Sequence, residues 1–199
     1  MNHISRTAAA VTAAIGLTLV ASGPAAAADT DRGVDVVQKA LTTRIDKRLA
    51  ALKKFDGSLA EAKKIQSAHR STLDALIDSQ TAGLTALRAK VQKDTTREAL
   101  KADAKAMVAD YRVFILTGPK VRLTAAIDTE LAVTDKLRDR KNIDTAKLDA
   151  VDKALAGKAD TLLAIKPGPD GDAIRTSVKQ VRESAKVART TLKSLRKSK

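Results

Sequence analysis

Near the C-terminus the apolar side chains fall at Ile174, Val178, Val181, Ala185, Ala188, Leu192 and Leu195, alternately four and three residues apart. Only a helix gathers positions so spaced into one stripe, because it turns once per 3.6 residues while a strand alternates faces at every residue. The same spacing recurs upstream. It runs through Val34, Val37, Leu41, Ile45, Leu49 and Leu52, then through Leu59, Ala62, His69, Leu73, Leu76, Gln80, Leu84, Leu87 and Val91. It returns at Leu100, Ala104, Met107, Tyr111 and Phe114, at Leu123, Ile127, Leu131, Thr134 and Leu137, and at Leu148, Val151, Leu155 and Leu162. Sheets favour aromatic and β-branched residues, yet the only aromatics are Phe55, Tyr111 and Phe114. The sequence therefore predicts an all-α chain of long packed helices.

Local signals divide the helices. The first is predicted to start in Asp29-Thr30-Asp31 and to stop at Gly57, with Ser58 and Glu61 forming a capping box for the second. A break near Ser67, with Ser67 as a second N-cap, is the alternative for that long second segment. Thr95 and Glu98 form another capping box, and Gly118-Pro119 interrupts the third helix. There the helix either kinks or gives way to a new one beginning at Pro119, since proline is tolerated at a helix start and not inside. Stacked end to end, residues 96–141 would span about 69 Å. Asp144 is a predicted N-cap, Lys166 to Gly171 the strongest loop, and Asp172 the cap of the last helix. The expected architecture is an elongated antiparallel bundle of two three-helix, spectrin-like units, 29–118 and 119–199, sharing a long helix kinked or broken at Pro119. I-D-x-x-L-A recurs at Ile45 to Ala50 and Ile127 to Ala132, a coarse internal echo that heptads of few residue types also produce by chance.

The N-terminus carries the layout of an export signal. Arg6 is followed by an apolar run from Ala8 to Ala21, then Ser22-Gly23-Pro24 and the small-residue pattern Ala26-Ala27-Ala28. Residues 1–28 are predicted to be removed after Ala28, leaving a secreted, extracellular or envelope protein. Arg6 is the only charged residue lost, so the remainder holds 36 basic and 23 acidic residues, a net +13. The chain has no cysteine, which excludes disulfides and lipid attachment at a lipobox.

The last helix holds the sharpest functional pattern. One residue after each seam position stands a base: Arg175, Lys179, Arg182, Lys186, Arg189, Lys193 and Arg196. One residue is about 100° of rotation, so the bases form a ridge beside the seam. One reading is a rail for a polyanion: an anionic envelope polymer, a phospholipid head-group surface or nucleic acid. The other is a solvated face whose aliphatic stems cover the seam edge, with Asp149, Asp152 and Asp160 of the neighbouring helix pairing some of the bases. Sequence-specific nucleic-acid binding finds no reading motif and no aromatic platforms among the bases. Catalysis finds no acid-base or nucleophile set, because His69 is the only histidine left after the signal and falls on an apolar seam. No cofactor is expected and no metal site, since Asp29 to Asp35 departs from a calcium loop both in its glycine and at Ala40.

Ala82-Gly83-Leu84-Thr85-Ala86-Leu87-Arg88-Ala89-Lys90, Asp110-Tyr111-Arg112-Val113-Phe114-Ile115-Leu116 and Pro119-Lys120-Val121-Arg122-Leu123 resemble segments of a group of uncharacterised secreted helical proteins of actinobacteria. The resemblance implies export and helices and nothing about chemistry. The expectation is a non-catalytic protein holding an anionic surface through its last helix. The alternative is a coiled-coil protein whose exposed seam pairs with another helix or with a second copy.

Overall fold

Leu41, Ile45, Leu52, Phe55 and Leu59 are all buried, so the first apolar stripe runs past Gly57 without a break. A computed structural model of the chain describes the backbone of residues 25–197 and the side chains of 33–196. Within those bounds helix α1 is Ala25–Glu61, α2 Ser67–Val91, α3 Arg97–Asp110, α4 Gly118–Arg138, α5 Thr145–Leu155, α6 Lys158–Ala164 and α7 Gly171–Lys197. A π-helical turn, Val113–Thr117, precedes α4, and the described residues contain no strand. Residues 1–24 of the predicted signal lie outside the described residues. The expected cut after Ala28 would remove the first four residues of α1 as described.

Several boundaries differ from the sequence expectation. α1 is already helical at Ala25, ahead of Asp29-Thr30-Asp31. Gly57 does not end it, and Ser58 is not a cap: its hydroxyl donates to the Lys54 carbonyl (2.9 Å) one turn back. An exposed glycine costs about 1 kcal/mol in a helix, whereas burying Leu59 contributes roughly 1.5–3 kcal/mol, so the helix continues. The break comes at residues 62–66, a turn with no glycine or proline. Arg70 donates to the carbonyls of Leu59 and Ala62 (both 2.6 Å), and the Gln66 amide donates to Asp128 (2.9 Å). The α2 N-cap is Gln66 rather than Ser67, without a side-chain cap.

The α3 cap is Thr96, whose hydroxyl accepts from the Ala99 amide (3.2 Å), one residue after the predicted Thr95. The long third helix does not exist as one rod. α3 ends at Asp110, Tyr111 and Arg112 leave helical geometry, and the π turn follows. Tyr111 swings against Gly83 of α2, where a Cβ would stand only 2.5 Å from the tyrosine hydroxyl. Pro119 therefore sits in the first turn of α4, where its missing N–H has no consequence. The predicted helix through Leu148, Val151, Leu155 and Leu162 is two helices, divided at Gly157 with φ +63°. Asp144 caps α5 as expected, accepting from the Lys147 amide (3.2 Å). The α7 start is capped by Asp170, not Asp172: its carboxylate accepts from the amides of Asp172 and Ala173 (3.0 and 2.9 Å).

The helices close on two apolar cores. One gathers residues of α1, α2 and α3 with Val113 and Val121. The other gathers Leu116, Ile127 and Leu137 with the seams of α5, α6 and α7. The π turn and α4 contribute to both. Antiparallel order in the first half follows from Gln38 near the start of α1 donating to the Val91 carbonyl at the end of α2 (2.8 Å). In the second half α4 touches α5, α6 and α7 and also α1 and α2, which is why it buries Lys120, Thr124, Asp128, Glu130 and Thr134.

Candidate anion-binding face

All seven seam residues of α7, Ile174 through Leu195, are buried. With the stripe fixed inward, the position one residue on turns to its flank, and all seven predicted bases are exposed there. The first and last are 21 residue steps apart, or roughly 31 Å of helix. Arginine and lysine alternate: Arg175, Arg182, Arg189 and Arg196 recur every seven residues, with Lys179, Lys186 and Lys193 between.

Three of the bases have acidic partners. Arg175 pairs with Asp172 (2.6 Å) and Lys186 with Glu183 (3.9 Å), each on its own helix a turn away, and Arg189 reaches Glu130 of α4 (3.5 Å). The two pairs within α7 are exposed on both sides and contribute little, whereas the Glu130 carboxylate is buried. Lys179, Arg182, Lys193 and Arg196 form no ion pair among the described residues. The acids that could have quenched the ridge are engaged elsewhere. Arg138 takes Asp149 (2.7 Å) and Asp152 (2.5 Å), and His69 takes Asp160 (3.2 Å).

The ridge also borders a groove between α4 and α7, about 600 Å³, lined by Arg189, Lys193 and Arg196 on one side and by Ala125, Thr129 and Val133 on the other. Glu130 lies in its wall. Burial raises the Glu130 carboxyl above the usual carboxylate range against the opposing pull of Arg189, and its Oε2 has no hydrogen-bond partner. Sequence reasoning missed this carboxylate, since nothing in Thr129-Glu130-Leu131 distinguishes it.

His69 is buried, as its seam position predicts, but it is not idle. Nδ1 faces both oxygens of Asp128 (3.0 and 2.9 Å), and Nε2 faces Asp160. Burial pulls the imidazole down, yet hydrogen bonds and charge from Asp128, then Asp160, outweigh it and leave the pKa raised. The group ties α2 to α4 and α6 beside a groove of about 370 Å³. No cluster of three or more His, Cys, Asp or Glu among the described residues is arranged to hold a metal ion. Lys120, also buried, donates to the carbonyls of Leu163 and Ile165 (2.7 and 2.6 Å), and burial lowers it to about 8.

No family model, no curated protein and no solved structure matches this chain. No helix among the described residues is long and apolar enough to cross a membrane.

Proposed function

We propose that this is an exported, non-catalytic helical protein that holds an anionic envelope polymer or surface along α7, with Arg175, Lys179, Arg182, Lys186, Arg189, Lys193 and Arg196 as the contact line. One observation carries the reading: the ridge is exposed over its whole length, while Asp149, Asp152 and Asp160 of α5 and α6 pair with Arg138 and His69. The competing reading, helix pairing through an exposed seam, draws less support, because the α7 seam is already covered by the chain's own helices. We further propose that the chain is organised as two spectrin-like units, 29–118 and 119–199. The two apolar cores support a two-unit reading, with Val121 and Leu116 crossing the boundary between them.

The test is retention on isolated cell walls and anionic vesicles at low and high salt, comparing the parent with Arg182→Gln/Lys186→Gln/Arg189→Gln. Polyanion binding driven by counterion release falls steeply with salt. The expected result is tight retention of the parent at low salt, its loss at high salt, and a variant held roughly tenfold less. Equal retention of both proteins, together with salt-insensitive dimers by ultracentrifugation, would overturn the ridge in favour of helix pairing.

A further inference from the structure

Phe114 and Phe55 are two of only three aromatic residues in the chain, and both lie where α1, the π turn and α4 meet. The third-helix stripe predicts Phe114 inside, but the break at Tyr111-Arg112 resets the phase, and the ring is 53% exposed. Val108, 41% exposed, lines the same hollow. Arg48 sits over the Phe114 ring at 5.4 Å and Arg122 over the Phe55 ring at 5.3 Å. Arg182 of the α7 ridge borders the groove of about 450 Å³ that holds both phenylalanines and Arg122. Arg48, Arg122 and Arg182 have no ion pair among the described residues, and no carboxylate lines either hollow. The half-buried Arg48 is pulled below the usual guanidinium range, first by burial and then by Arg44, and its Nε has no hydrogen-bond partner.

Arg48 donates to the Arg44 carbonyl (3.0 Å), but three guanidinium groups without a carboxylate partner around a projecting phenyl ring fit a surface that is apolar beneath and anionic above. We propose that this junction docks on an anionic phospholipid bilayer, with Phe114 entering the apolar boundary and Arg48, Arg122 and Arg182 meeting head-group phosphates. The proposal rests on the anion-binding reading of the ridge and names the surface. A hydrophilic polymer would use the guanidinium groups and leave Phe114 in water. Amphipathic surfaces of this kind bind by buried apolar area plus attraction to anionic lipid.

The chain has no tryptophan, so Phe114→Trp in the full chain gives a single emission that reports this position alone. The probes are phosphatidylcholine vesicles with and without phosphatidylglycerol, read by sedimentation and by emission. The expected result is binding to the anionic vesicles only, with the emission of Phe114→Trp moving to the blue and becoming shielded from acrylamide. Phe114→Ala should bind about tenfold more weakly, from the lost apolar contact, with an unchanged circular dichroism spectrum because the ring is exposed. Arg122→Gln/Arg182→Gln should weaken binding to anionic lipid and lessen the blue shift of Phe114→Trp, the remaining ridge bases keeping part of the preference. Sedimentation with vesicles while the emission stays that of free protein would overturn this proposal and leave the ridge reading standing. So would retention on cell walls without retention on vesicles, which would assign the ridge to a polymer. Loss of both would overturn the two together.

Discussion

Replacing His69 by alanine removes the link with the most at stake in the molecule. The Asp128 side chain that it contacts is wholly buried, whereas Asp160 on the far side is 77% exposed. Both ring nitrogens face carboxylate oxygens, and both can donate only when the ring is protonated. Breaking a buried charge pair costs about 3–5 kcal/mol because the remaining charge is stranded; the Asp160 contact adds less than about 1 kcal/mol. Two features hold His69→Ala to the lower end. The Gln66 amide still donates to Asp128 (2.9 Å), and the adjoining groove admits water. A loss of about 3 kcal/mol in a chain of this length lowers Tm by roughly 6–12 °C.

The pH dependence fixes the sign. The His69 pKa is raised in the folded state, so the contribution is complete below the unfolded value of about 6.5 and is lost as pH rises through the folded value. Urea unfolding followed by circular dichroism, for parent and His69→Ala across that window, measures the gap. It should be widest on the acid side and narrow above. A gap under about 1 kcal/mol on the acid side, or one that widens with rising pH, would refute the account of His69 as a protonated clamp between α2, α4 and α6.

Two further outcomes follow from the packing. Gly57→Ala should stabilise the chain by about 0.5–1 kcal/mol, read as a higher urea midpoint, since a Cβ there meets nothing within 4 Å and the position is helical; a destabilised variant would mean that the helix needs glycine at that point. Lys120 has a depressed folded pKa of about 8, so the folded chain sheds its proton first and the parent should gain stability over Lys120→Met as pH rises from about 8 towards the ordinary lysine value of about 10.4, with a flat difference sinking the assignment.

What was legible in the sequence was whatever a helix settles by its own periodicity. Every seam residue predicted for α7 is buried, and so are Leu148, Val151, Leu155 and Leu162, although Gly157 cuts their helix in two. The misplaced boundaries are those set by partners far along the chain. Gly57 and Ser58 carry a proper stop-and-start signal, but Leu59 has a core to enter, and the turn actually forms where Arg70 takes the free carbonyls and Asp128, 62 residues away, takes the Gln66 amide. Phe114 fails for the same reason. Its stripe assumes one unbroken helix, and the break is made by Tyr111 packing over Gly83 of another helix.

The repeated motif I-D-x-x-L-A shows why the site itself was only half readable. Ile45 and Ile127 are both fully buried, as the shared pattern demands. The aspartates that follow them part company: Asp46 pairs with Arg88 at the surface (2.7 Å), while Asp128 is buried against His69. Local sequence is the same and the electrostatic role is opposite, because the role depends on which helix lies across from it. The ridge obeys the same division. Its seven bases are written into one helix and can be found by counting. Whether they remain a field or become paired surface charge depends on the acids around them: Asp172, Glu183 and Glu130 take three of the bases, and Asp149, Asp152 and Asp160 of α5 and α6 take none. The last three go to Arg138 and His69, neither of which belongs to α7. The Asp160 carboxylate faces His69 in a groove that holds no α7 residue, so which acids meet the ridge is set by the assembled helices and not by the α7 sequence alone.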